Sequence, residues 1–208
     1  MFADDKPPSE GTPASPAPTA RTAAPLFASS SWLEAASTPE LLPPFVRARA
    51  AWGAAEPVQP YVAHTPAAVT LHHTGALWTG RPPIEQYLRN IQAFHTGPRR
   101  EWEDIAYHYL VDLDGTVWAG RPPTVRGNPS IYFDSRGQVL ICLVGDYEVQ
   151  EPSQVQIAAV GTTAAWLIRR FNMTAGAIGA HRDYAPTTCP GASVYRLLQE
   201  GAFAGRVG

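Results

Sequence analysis

His72 ends the apolar run Ala68-Val69-Thr70-Leu71, and His181 ends Ala177-Ile178-Gly179-Ala180. Cys189 follows the second histidine in HRDYAPTTCPG. Two neutral imidazoles and a thiolate are donors that suit Zn2+. Pro186 precedes the cysteine and Pro190-Gly191 follows it, so the chain turns sharply there and can return the thiol toward the imidazole. Three protein donors leave a fourth position for water, whose pKa zinc lowers from about 15.7 to about 7. That is the arrangement of a hydrolytic site. The same residues have plainer uses: a strand-end histidine can bond backbone, and a buried cysteine can pack as a small hydrophobe. Blue copper also takes two His and one Cys with an axial Met. Neither His nor Met follows Cys189, which argues against copper.

These donors need a sheet to hold them. Residues 68–72 and 177–180 read as short strands, and 106–111 and 116–119 as a pair joined at Asp114-Gly115, a strong hairpin signal. Residues 138–145 (QVLICLVG) form a continuous apolar run, as in a central strand covered on both faces. Helices are predicted over 38–51, broken by Pro43 and Pro44, then over 84–95, 153–171 with Ser153 as cap, and 193–202. Strands and helices alternating in this way predict an α/β fold, a central mixed sheet flanked by helices.

The chain has 208 residues, a formal net charge of −2 and 16% charged residues. It therefore lacks the basic bias of a nucleic-acid binder. Two cysteines exclude a disulfide scaffold, and no apolar run is long enough to span a membrane. Nine prolines fall in the first 44 residues, where Ala, Ser and Thr also dominate without apolar period. Residues 1–35 are thus expected to be a disordered tail or linker without signal-peptide character, and 36–208 the domain.

Five blocks occur in order: Arg49-Ala50-Ala51-Trp52-Gly53-Ala54, His72-His73-Thr74, residues 102–109 (WEDIAYHY), residues 114–121 (DGTVWAGR), and His181 with Cys189-Pro190-Gly191. Together they resemble the type 2 zinc-dependent N-acetylmuramoyl-L-alanine amidases, a class that includes phage T7 lysozyme and the peptidoglycan recognition proteins. The resemblance implies a groove along the sheet ending at zinc. It also implies cleavage of the amide between the lactyl group of N-acetylmuramic acid and L-alanine of the stem peptide. His72, His181 and Cys189 take the zinc-ligand places, and Tyr107 that of the catalytic tyrosine. Thr187 falls where the phage enzyme has Lys and many recognition proteins have Thr. Peptidoglycan or muropeptides would be the partner, the protein a monomer, and its location periplasmic or extracellular.

On a strand beginning at Ala106, Tyr107 and His108 face opposite sides, so a groove-facing Tyr107 leaves His108 pointing inward. Tyr107 would orient water or donate to the oxyanion, and Thr187 would hydrogen-bond either. The general base is left open. Trp78 is read as a stacking surface at the groove rim, with packing as the alternative. Arg182 is read as a partner for a stem-peptide carboxylate, or else for Asp183 or Glu200. His73 should bond nearby backbone, His64 and His95 should lie at the surface, and Cys142 in the core. Between Arg121 and residue 138 the family carries a His and then a Tyr-Asn pair. Pro129 and Phe133-Asp134 stand there instead, with Asp134 a candidate substrate contact. The competing reading is a non-catalytic peptidoglycan-binding module, although such modules commonly replace the cysteine that is present here.

Overall fold

A computed structural model describes residues 42–128, 133–174 and 176–203. The tail expectation for residues 1–35 and the position of Pro129 lie outside the described residues. The elements are β1 (Val46–Arg47), α1 (Arg49–Trp52), β2 (Ala68–His73), α2 (Ile84–Thr96), β3 (Tyr109–Val111), β4 (Val117–Ala119), β5 (Gln138–Leu143), α3 (Gln154–Arg170), β6 (Ile178–Ala180) and α4 (Ala192–Gln199). A 3-10 turn, His181–Asp183, follows β6 directly. The sheet order is β1-β4-β3-β5-β2-β6, antiparallel only between β3 and β4, so the sheet is mixed.

Side-chain alternation divides the core. Val69 and Leu71 of β2, with Val139, Ile141 and Leu143 of β5, pack against Val160, Ala164 and Leu167 of α3. Leu140 and Cys142 of β5 face the other way, toward Trp52 of α1 and Leu88 and Ile91 of α2. His72 is the register partner of Cys142, and register partners in a parallel pair share a face. His72 therefore emerges on the α2 side, at the C-terminal end of a central strand.

Local chemistry explains the boundaries. Ser153 caps α3 in a reciprocal box: Gln156 N–H donates to Ser153 Oγ at 3.2 Å, and Ser153 N–H to Gln156 Oε1 at 3.2 Å. The β3–β4 turn closes on Asp112, whose Oδ1 accepts the N–H groups of Asp114 (3.1 Å) and Thr116 (3.0 Å). Gly115 supplies the turn's positive φ of 77°. Two expectations change. Helix over 38–51 gives way, within the described residues, to the two-residue strand β1 and the single turn α1. The strand expected from Ala106 begins only at Tyr109: His108 N–H already reaches the β5 carbonyl of Leu140 at 3.1 Å, but the backbone at 105–106 bonds side chains and a loop instead. Ala106 N–H donates to His95 Nδ1 at 3.1 Å, and the carbonyl of Ile105 accepts from Arg121 Nε at 2.5 Å.

Candidate metal centre

Parallel register brings the two histidines together. Leu71 pairs with Ala180, so the next residues, His72 and His181, stand side by side where β2 and β6 end. Their ring centroids are 4.6 Å apart. Cys189 returns over the loop after the 3-10 turn, and its Sγ lies 3.5 Å from His72 Nδ1. One donor atom from each of His72, His181 and Cys189 falls within 4.8 Å of the others, and all three residues are buried.

The local chemistry fits a cation. His72 Nε2 and both ring nitrogens of His181 are buried without a hydrogen-bond partner among the described residues. Buried polar atoms are ordinarily paired, so such a cluster marks a ligand-binding position. Burial, helped by neighbouring His181, holds the His72 pKa well below its ordinary value. Burial, helped by His73, lowers that of His181 to about 4. Neutral rings keep the lone pairs that a metal needs. His73 N–H reaches Cys189 Sγ at 3.4 Å, a bond that favours the thiolate. No carboxylate of the described residues joins the group, so the candidate set is two nitrogens and one sulfur.

Tyr107 is buried on the same side, its ring 5.6 Å from His72. Thr187 Oγ accepts the N–H of Cys189 at 3.1 Å, fixing the turn into the third donor. The other expected residues are not among the three donors and have partners of their own. Trp78 is buried, stacks on Tyr87 at 5.8 Å and donates to the carbonyl of Pro82 at 3.0 Å. Asp134 is exposed and paired with Arg136. Arg182 pairs with Glu148 at 3.2 Å, rather than with Asp183 or Glu200.

His73 bonds backbone, accepting from Tyr147 N–H at 3.2 Å. His108 points inward, between Val125 O (2.7 Å) and Leu140 N–H (2.8 Å). The surface expectation for His64 and His95 is corrected. His64 is half-buried and bonded to Pro123 O and Gly137 N–H, both at 2.9 Å. His95 is buried, with its ring 5.8 Å from Tyr107 and in near-perpendicular contact. Its place on the inner face of α2, beside Ile91, was the available signal. Phe133 packs against His181 at 5.7 Å and stacks on Tyr184 at 5.3 Å. Nothing in its flanking sequence announces that contact.

Residues 62–192 match the family model for N-acetylmuramoyl-L-alanine amidase. The chain is 28% identical over 159 residues to peptidoglycan-recognition protein SD of Drosophila simulans, covering 73% of this chain and 83% of that protein. It is 30% identical over 174 residues to an N-acetylmuramoyl-L-alanine amidase of Mus musculus, covering 75% of this chain and 30% of that one. Human PGRP-IBETAC, solved in complex with glycosamyl muramyl pentapeptide, superposes with a TM-score of 0.66 at 24% identity, covering 76% of this chain and 96% of that one. The matched span takes in His72, Tyr107, His181 and Cys189, and the chain belongs to the N-acetylmuramoyl-L-alanine amidase family, whose members and relatives include both amidases and peptidoglycan recognition proteins.

Proposed function

We propose that this protein is a zinc-dependent N-acetylmuramoyl-L-alanine amidase, cutting the amide between the muramic acid lactyl group and L-alanine of the stem peptide. The observation that carries this reading is the buried trio His72, His181 and Cys189, whose donor atoms lie within 4.8 Å of one another and whose histidines both carry buried, unpartnered ring nitrogens. These three residues would hold the ion. Zinc bound there supplies a Lewis acid and an acidified water at neutral pH.

The chain's own groups do the rest. His73 N–H stabilises the Cys189 sulfur as thiolate, and Thr187 holds the backbone that presents it. The Tyr107 phenol, beside His72, donates to the substrate oxygen on which negative charge develops. Burial raises the strength of such a bond, because little water competes for it. Peptidoglycan or its soluble muropeptides are the substrate class, which places the protein in the periplasm or outside the cell.

Purified protein should carry zinc and release stem peptides with a free N-terminal L-alanine from peptidoglycan, in a chelator-sensitive way. Zinc bound without amide cleavage would instead identify a non-catalytic peptidoglycan-binding module. That alternative draws on the recognition proteins among the relatives.

A further inference from the structure

Arg182 follows the second candidate ligand, and its backbone N–H and Nη2 are both engaged by the chain. Its backbone N–H donates to the carbonyl of Cys189 at 3.0 Å. Its Nη2 donates to the carbonyl of Thr188 and, at 3.2 Å, to Glu148 Oε1. The guanidinium lies 4.7 Å from the Tyr195 ring centroid on α4. Tyr195 in turn donates to Asp183 Oδ1 at 3.0 Å, and Asp183 Oδ2 accepts Ala180 N–H at 2.7 Å. One side chain thus ties the 3-10 turn to the loop after β5, to α4 and to the backbone carrying the thiol.

We infer that Arg182 is a positioning residue for Cys189, closing the loop between the two donors so that the thiol is already in place when the metal arrives. The inference rests on the proposed metal reading of Cys189. A guanidinium suits this task because its rigid fork meets a carbonyl and a carboxylate at once, while its flat face packs on an aromatic ring. Without it, the segment from Tyr184 to Thr188 keeps more conformations, and binding must order them at a cost in affinity.

The test uses Arg182→Ala and Arg182→Lys in the full chain, with two readouts. Zinc affinity is measured by competition with a chromogenic chelator, and thiol alkylation is timed in metal-free protein. Cys189 and Cys142 are both buried, so Cys142 serves as an internal control for unfolding. Zinc should bind about tenfold to 100-fold more weakly to Arg182→Ala, as for other residues supporting metal ligands. Cys189 should be alkylated about tenfold faster or more, with Cys142 still protected, if the loop opens as second-shell losses suggest. Arg182→Lys keeps the charge and stem but loses the fork, and should fall between. Should the alanine variant expose both thiols, the lysine variant carries the same comparison. Unchanged zinc affinity and unchanged Cys189 protection overturn the inference. Failure of the unaltered protein to bind zinc overturns the proposed function instead, and alkylation alone then decides whether Arg182 holds the loop.

Discussion

Gly120 runs so close to Tyr107 that a methyl group on it would overlap the Tyr107 carbonyl oxygen. The two segments are locked there, with Gly120 N–H donating to His108 O at 2.8 Å and Arg121 N–H to Tyr107 O at 2.9 Å. Backbone meets backbone, so no side-chain rotation can relieve the contact. Gly120→Ala should therefore destabilise the fold by about 2–3 kcal/mol, the upper range for overpacking. Urea denaturation measures the loss. Amide cleavage should fall further than the folded fraction does, because Tyr107 is pushed from its place beside His72.

Removing the thiol should remove the metal. Cys189→Ser replaces a soft anionic donor with a neutral hydroxyl in a site that offers only two other ligands among the described residues. Zinc affinity should drop by more than about 100-fold, exceeding the loss typical of outer-shell changes. Metal analysis after dialysis against a weak chelator reads this out. Retention of stoichiometric zinc would place the ion elsewhere.

Tyr107→Phe separates chemistry from metal binding. The ring's packing against His72 and His95 is kept, and only the hydroxyl goes. Zinc content should stay at the unaltered level while the cleavage rate falls about 100-fold to 1,000-fold, the effect of losing one oxyanion donor. A fully active variant would rule out the assigned role.

Acid should weaken the fold through His108. Burial, the largest cause, pushes its pKa from 6.5 down to about 3. The folded ring thus resists a proton that the unfolded chain accepts. Its contribution to stability is complete above about pH 6.5 and is withdrawn as pH falls toward about 3, by at most about 1.4 kcal/mol per pH unit. Guanidinium denaturation between pH 7 and 4 should show this slope, and His108→Gln should have a shallower one. Equal slopes would mean that His108 does not titrate in this way.

Much of this protein can be read from residue order alone. Apolar alternation and runs mark β2, β5, α2 and α3, because burial on one or two faces demands those periods. Ser153 and Asp114-Gly115 mark boundaries because capping and turning are local chemistry. His72, His181 and Cys189 stand out as donors because strand ends and a Pro-Gly turn bring side chains to a rim. Other features depended on neighbours far away in the chain. Cys189 meets His72 across 117 residues only because β6 adds beside β2 at the end of a reordered sheet, and periodicity does not encode which strands become neighbours. The partners of Arg182, the burial of Trp78, and the contact of Phe133 with His181 were settled in the same way. A polar or aromatic side chain has several compatible partners in sequence, and only packing in three dimensions selects one.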